Sequence, residues 1–414
     1  MIESLNLSQF FIVFDGRGNK KMANEVKELK NAYKEEMFEL ATYAFNAKDT
    51  PERRERFQMI VENSWNYGYF DEEKRLTSQV MATPFSVTFY GKKYLMAGIG
   101  YVASYPEARG QGGINQIMER ILKDCRERKV SLSYLAPFSY PFYRRYGYEQ
   151  LFDKIHYHLD SRDVPNVKKT SGKMKRTTFE QAKKVIEMIY RQIPENQRGG
   201  LSREDWWYTY KFKQKKENHY ALYYDEIGEV KGYVVYQLTA PKFVVVEWGY
   251  LTHEAFSGIV RFVSSHSGAF DSFEYSCGYS GSDKNYLLKN PFAKMSITPY
   301  MMGRIVDVEL FLNEYPFTEK NFSFALEITE DTYAKWNEGI FEIAVTNESI
   351  NIKKVEETSL PVISGTIQSV TQLLMGYRKI EELAFFNQII LSTDSLLEIG
   401  KCFPSQQPIL NDYF

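Results

Sequence analysis

The sequence predicts a mixed α+β chain of two or three domains. Three observations carry that prediction. A β-compatible apolar run, "KYLMAGIGYVAS", passes through a glycine cluster into a strongly periodic helix; a second apolar strand and a very short helix follow directly behind it; and 414 residues are too many for one ordinary core. Hydrophobic residues make up 43% and charged residues 25%, the balance of a globular protein. Lys and Arg number 52 against 53 Asp and Glu, a net charge of -1, so no global basic field exists to gather nucleic acid.

The elements follow in order. Residues 1–22 read as an extra segment, with "DGRGNKK" placed where a purine-rich ribosome-binding site would be encoded and Met22 as the expected true start. "MANEVKELKNAYKEEMFELATYAFN" then supplies a strand and a helix, and "VMATPFSVTFY" and "KYLMAGIGYVAS" are two strands turned by "GKK" at 91–93. Beyond them Gly110, Gly112 and Gly113 lack a Cβ, and a helix starts near Gly113 with Ile114, Ile117, Met118, Ile121, Leu122 and Cys125 on one face. A helix N-terminus behind glycines suits an anion, phosphate above all. The loop is neither a Walker loop nor a dinucleotide fingerprint, and by itself it reads equally as a tight strand-to-helix connection. "KVSLSYLAPF" is the next strand. In "SYPFYRRYGYEQ" Pro141 suits a first helical turn and Gly147 a helix end, leaving room for barely two turns.

The order strand, R-x-x-G loop, helix, strand, "FYRRYGY" short helix, strand resembles the GNAT superfamily of acetyl-CoA-dependent N-acetyltransferases. Further on stand "SITPYMMGRIVDVELFL" at 296–312, "TQLLMGYRKIEEL" at 371–383 and the ending "QQPILNDYF". That arrangement resembles the Eis (enhanced intracellular survival) family. The resemblance implies an α+β fold of two GNAT-like domains followed by a sterol-carrier-protein-like domain.

On that footing residues 23–165 are the catalytic acetyl-CoA-binding domain and 166–298 a degenerate second copy. The copy has "LTHEAFSGIVRFVSSH" where the glycine loop would stand, so it is expected to bind no coenzyme. Residues 299–414 form the last domain, with a helix at "RIVDVELFLNEY", strands at "SFALEITE" and "FEIAVTNESINIKKV", and a helix at "SVTQLLMGYRK"; a structural role is favoured there over lipid carriage.

The resemblance also implies roles. The backbone of Val102, Ala103 and Ser104 would pair with the pantetheine arm. Arg109, Gly110, Gln111, Gly112, Gly113, Ile114 and Asn115 would hold the pyrophosphate, and Phe138 and Ser139 would close over the coenzyme. Tyr143 falls where the family places its general acid; a phenol of pKa about 10 is protonated at neutral pH. Tyr146 and Tyr148 are its neighbours, with Tyr148 expected in the core. The general base would be the α-carboxylate of Phe414, anchored by the apolar and aromatic residues of "PILNDYF". Ile114 stands where many GNAT loops carry Gly or Ala, and mycobacterial Eis-type proteins have more arginine at positions 110 and 111, so a backbone cradle is expected over a guanidinium clamp. Acceptors implied are primary amines, aminoglycosides first, with lysine side chains and polyamines as alternatives. A non-catalytic acetyl-CoA sensor or lipid-binding scaffold is the rival from another class. Glu35, Glu36, Glu39 and Asp412 are carboxylates that a cationic acceptor would seek, left unassigned. A homohexamer is implied by resemblance alone.

The remaining residues point to no other chemistry. Cys125, Cys277 and Cys402 are too scattered for a disulfide framework or zinc site, and no metal is expected. None of the five histidines lies in the motifs, and His156 and His158 share a strand face as structural residues. "FFIVF" is too short for a signal core, and no apolar run reaches membrane-spanning length, so a cytoplasmic protein without a membrane partner is expected. The 31 tyrosines and 29 phenylalanines read mainly as core filling in a β-rich chain.

Overall fold

The computed structural model describes residues 13–14, 20–21, 25–165, 167–288, 290–291 and 293–414. Apart from a pairing of Val13–Phe14 with Lys20–Lys21, the expectations for residues 1–22, Met22 included, lie outside the described residues. The chain divides into two units, one ending at Thr83 and taking in Ile99–Lys123, the other made of Pro84–Gly98 and Asp124–Phe414.

In the first unit, strand Glu25–Leu29 pairs antiparallel with Trp65–Phe70, which pairs in turn with the first half of strand Leu76–Phe89. Helices Lys34–Ala44 and Pro51–Glu62 lie between the first two strands in sequence. The second begins sharply because Thr50 accepts a hydrogen bond from the Arg53 amide at 3.2 Å and Pro51 opens its first turn. Phe38 and Phe57, both buried, meet edge to face at 5.2 Å and join the two helices. Helix Gly113–Glu127 buries Ile117, Met118, Ile121, Leu122 and Cys125 completely, the apolar stripe read from its spacing.

In the second unit, the hairpin between Leu76–Phe89 and Lys92–Ser104 turns at Tyr90–Gly91, one position before the expected "GKK". Both residues have positive φ, 47° and 80°, as a two-residue turn matched to strand twist requires. A sheet then runs in the spatial order Leu132–Leu135, Lys294–Ile305, Glu149–Asp160, Ser272–Gly278, Lys242–Tyr250, Val230–Thr239, His219–Tyr224, Lys173–Thr177. Its pairs are antiparallel except for Lys242–Tyr250 with Ser272–Gly278. Alternation along His219–Tyr224 sorts the core onto two faces. Tyr220 and Leu222 pack under helix Phe179–Gln192, and Ala221 and Tyr223 under helix His253–Ser264. Strand Arg198–Leu201 reaches back to pair with Val87–Phe89.

Strand Lys294–Ile305 runs unbroken through 298 and 299, where the sequence places a domain division. It also changes one expectation: the helix read over "RIVDVELFLNEY" is only Val308–Leu312, capped by the Asp307 side chain on the Leu310 amide at 2.9 Å. Arg304 belongs to the strand because its fully buried guanidinium is spent on Asp331 at 2.6 Å and on the Tyr146 carbonyl. The last part of the chain is a five-stranded sheet, Ile350–Val355, Gly339–Val345, Phe322–Ile328, Val362–Gly365 and Ile389–Leu391. Helix Ile367–Leu374 comes between its strands Val362–Gly365 and Ile389–Leu391 in sequence, capped by Thr366 and stopped at Gly376, whose φ is 72°. Among the described residues no helix is long and apolar enough to cross a membrane, and none of the described His, Cys, Asp and Glu residues gather in groups of three that could hold a metal.

Candidate active site

In the first unit the strand leading to the glycine loop carries a non-glycine residue in the left-handed region, Tyr101 at φ 51°. That conformation is costly for an aromatic residue in a strand and re-aims the backbone that follows. Ala103 turns into the core, while Val102 and Ser104 are half-buried. Ser104 donates to Ser78 Oγ at 2.7 Å, and the Tyr105 amide reaches the Thr77 carbonyl at 3.0 Å, so the strand is still tied down where the loop begins.

The loop is a short turn, Pro106–Ala108, followed by exposed Arg109. Gly110 and Gly112 have φ of 79° and 82°, and an added Cβ at either would meet nothing within 4 Å, so their outer side is open. Gly113 is needed for the opposite reason: a Cβ there would fall 2.9 Å from Ser78 Oγ and 3.0 Å from the Tyr69 ring. The first helical bond runs from the Gln116 amide to the Gly112 carbonyl at 3.0 Å, so the amides of Gly113 and Ile114 precede the helical ladder. Gln111 folds back on the Glu107 carbonyl at 2.9 Å and leaves the opening to the backbone. Open glycines and pre-helical amides fit a diphosphate. Arg109 also edges a cleft of about 750 Å³ lined by Phe38, Glu39, Thr42, Tyr43 and Arg54. Glu35 and Asp49 are held by Arg54 at 2.8 and 2.7 Å.

In the second unit helix Tyr140–Arg144 is the short helix read from the sequence. Ser139 caps it, accepting from the Phe142 amide at 3.4 Å, so this side chain is already used by the fold. Gly147 turns the chain at φ 79°, with Arg304 Nη1 only 2.6 Å from where a Cβ would lie. Tyr143 is 2% exposed, and burial pushes its phenol well above the usual tyrosine range. Its ring meets Phe142 at 5.0 Å and Phe138 at 5.5 Å, Phe138 itself being exposed. Tyr148 is committed elsewhere, its hydroxyl 2.7 Å from Ser133 Oγ deep in the core. Tyr146 packs on Tyr333 at 4.8 Å and burial pushes its phenol up to about 12. After burial, the neighbouring phenols of Tyr148, Tyr146 and Tyr413 raise the Tyr143 phenol further.

The last residues of the chain are not frayed. Ile409 donates to the Arg198 carbonyl at 2.9 Å, Asn411 accepts from the Gly278 amide at 2.8 Å, and Leu410 is fully buried. The Phe414 ring packs 5.2 Å from Phe85 and 6.3 Å from Trp207, with Trp206 stacked on the same Phe85 at 5.8 Å. Gly98 makes room for it; a Cβ there would stand 2.8 Å from the Phe414 ring. Thus Tyr413, next to the last residue, acts electrostatically on Tyr143, and Val102 to Asn115 form one strand-loop-helix. Asp412, one of the carboxylates weighed as an acceptor contact, is instead buried against Arg203. Sequence reading missed Tyr101, Gly98 and the Trp206–Trp207 pair.

Residues 25–151 match the model of a GNAT acetyltransferase domain, residues 199–305 match a second such model, and 308–411 match a sterol carrier protein domain. The chain is 43% identical to a solved Enterococcus faecalis protein described as a conserved protein of unknown function and probable N-acyltransferase. The alignment covers 95% of this chain and 100% of that one, with a TM-score of 0.92. The chain belongs to the GNAT acetyltransferase family. It is an N-acetyltransferase with acetyl-CoA as cosubstrate, as GNAT domains are. Two more distant structures share the fold over 95% of this chain. A GCN5-related N-acetyltransferase from Anabaena variabilis, all of it covered, is 19% identical with a TM-score of 0.83. Eis1 from Mycobacterium abscessus, likewise covered in full, is 16% identical with a TM-score of 0.75. No curated protein matches the chain.

Proposed function

We propose that this acetyltransferase is of the Eis type and acetylates primary amines, aminoglycosides first, by direct transfer. The observation that carries the reading is that one unit holds both a buried Tyr143 phenol, on which Tyr413 acts electrostatically, and a chain end whose last ring is docked against Gly98, Phe85 and Trp207.

In this reading the backbone from Val102 to Ser104 orients the pantetheine arm, the amides from Gly110 to Asn115 cradle the pyrophosphate beside Arg109, and Phe138 and Ser139 close over the coenzyme. The Phe414 carboxylate takes a proton from the amine as the carbon–nitrogen bond forms. Tyr143, kept protonated by burial, presents its proton to the sulfur as the carbon–sulfur bond breaks. Acetyl moves from sulfur to nitrogen and the thiol leaves neutral. Residues 23–165 do this chemistry. The copy in 166–298 holds no coenzyme, in keeping with Thr252, which already caps helix His253–Ser264 by accepting from the Ala255 amide at 3.1 Å. Residues 299–414 supply the terminus.

The test is coenzyme thiol release with a panel of aminoglycosides, polyamines and lysine peptides, comparing wild type with Tyr143→Phe and a Phe414 deletion. Turnover on an aminoglycoside that both variants lose supports the reading. Turnover only on polyamines or peptides moves the acceptor class, and acetyl-CoA binding without acetylation of any amine contradicts it. Sedimentation of the purified protein tests the hexamer that the Eis resemblance implies.

A further inference from the structure

Two residues before Phe414, the chain passes through a buried ion network that the acetyl-transfer chemistry does not use. Asp412 and Arg203 have fully buried side chains, 3.0 Å apart. Arg203 spends Nε on Asp412 and both terminal nitrogens on Glu247, at 2.8 and 2.7 Å, while its guanidinium lies 3.8 Å over the Tyr190 ring. Lys211 bridges the same two carboxylates at 3.0 and 2.9 Å and also donates to the Asn411 carbonyl at 2.6 Å. Trp207 donates to Asp412 at 2.9 Å, Tyr233 to Glu247 at 2.9 Å, and Tyr300 to the Asp412 backbone carbonyl at 2.8 Å. Two cations face two carboxylates, and hydrogen bonds fix Asp412 through both its side chain and its backbone.

Such a network is a poor device for stability alone, because buried ion pairs are commonly replaced by apolar residues at no loss. Its strength is geometric: charge-assisted bonds from fixed donors allow one arrangement only. Here that arrangement belongs to a segment with one free end. The chain enters buried at Asp412, swings out at Tyr413, which is 66% exposed, and returns with the Phe414 ring packed against Gly98 and Phe85. The Arg203 end comes from the second GNAT-like domain, in the stretch between strand Arg198–Leu201 and helix Asp205–Tyr208.

We propose that the Arg203–Asp412–Lys211–Glu247 network is a positioning device. Through it the second, loop-less domain sets the place of the Phe414 carboxylate, and thereby the rate of proton removal from the acceptor amine. This rests on the reading of Phe414 as the base. Arg203 and Asp412 are positioning residues: they act through the terminus and touch neither coenzyme nor acceptor.

The experiment is a double-mutant cycle on the full chain between Asp412→Asn and a single glycine added after Phe414, which moves the carboxylate without removing a side chain. Acetyl-CoA affinity by calorimetry shows that each variant is folded. The expected result is a tenfold or greater fall in kcat for Asp412→Asn at unchanged acetyl-CoA KM, partial recovery in Asp412→Glu, and no further loss when Asp412→Asn is added to the extended chain. Replacing the whole network by apolar residues, Arg203→Met, Lys211→Met, Glu247→Leu and Asp412→Leu together, keeps the inference testable if Asp412→Asn fails to fold: with no buried charge left unpaired it is expected to melt near wild type yet show the same fall in kcat. A wild-type kcat in folded Asp412→Asn, or in the fully apolar variant, overturns the positioning role while the base reading stands. Multiplicative losses in the cycle also overturn it. If the glycine extension leaves kcat unchanged, the base reading fails instead, and the inference with it.

Discussion

Gly98→Ala is the sharpest perturbation of the terminus, because it adds one methyl group and removes nothing. The new Cβ would lie 2.8 Å from two carbons of the Phe414 ring and 2.9 Å from Phe85 Cε2. Carbon–carbon contacts are comfortable from about 3.5 Å, so the rings must retreat by about 0.7 Å. Gly98 needs no left-handed backbone, so alanine itself is tolerated there. Phe85 is held within a long strand and packs on Trp206 and Trp207, whereas Phe414 is the last residue and gives way first. The stability cost therefore sits at the low end for overpacking, about 1 kcal/mol. The catalytic cost is larger, because a reacting group displaced by about 1 Å can lose on the order of 100-fold in rate. Thiol-release kinetics with acetyl-CoA and a saturating amine, alongside a thermal melt, measure both. The expectation is a kcat at least tenfold down with acetyl-CoA KM unchanged and a melting temperature within a few degrees. A kcat within twofold of wild type would refute the claim that this ring holds the base.

The other expectations follow from single contacts. Tyr143→Phe should lower kcat by about 10²- to 10⁴-fold with coenzyme affinity retained. Because burial raises the Tyr143 phenol, the wild-type pH–rate profile should show no descending limb near pH 10, and a limb there would assign the acid elsewhere. Gly112→Ala forces a non-glycine residue to φ 82°, a strain of about 1–2 kcal/mol, and should raise acetyl-CoA KM several-fold while an amine KM stays put. Burial works against the carboxylates of Asp412 and Glu247, but Arg203 and Lys211 hold both below the ordinary range. Their depressed folded-state values mean that the stabilisation is present above the unfolded carboxylate pKa of about 4 and is lost as the pH falls below it. Melting temperature should drop steeply on acidification below about pH 4, and Glu247→Gln should flatten that slope.

Local patterns made the stretch from the glycine loop to the short helix legible. The stripe Ile117, Met118, Ile121, Leu122 and Cys125 announced its helix because one face is wholly buried, and Pro141 and Gly147 bracketed a helix whose length is set by those two backbones. What escaped depends on pairings far apart in sequence. Tyr101 adopts its left-handed φ without any local residue preference asking for it, so only the surrounding sheet enforces it. Arg304 looked like a helix residue until its guanidinium found Asp331 and Tyr146, which kept it in a strand inserted between Leu132–Leu135 and Glu149–Asp160. Asp412 looked like a solvated carboxylate because its partners lie some two hundred positions earlier, at Arg203, Trp207 and Lys211. The seat of the Phe414 ring was invisible for the same reason: Gly98 reads as an ordinary strand glycine until the last residue of the chain folds over it.

The central claim is transfer of an acetyl group to an amine by Tyr143 and the Phe414 carboxylate. Its most direct test is a mass-spectrometric time course of an aminoglycoside with acetyl-CoA and wild type, Tyr143→Phe or the glycine-extended chain. The account predicts an N-acetylated product formed one for one with free coenzyme thiol by the wild type, and little from either variant. An aminoglycoside acetylated equally well by all three would contradict it.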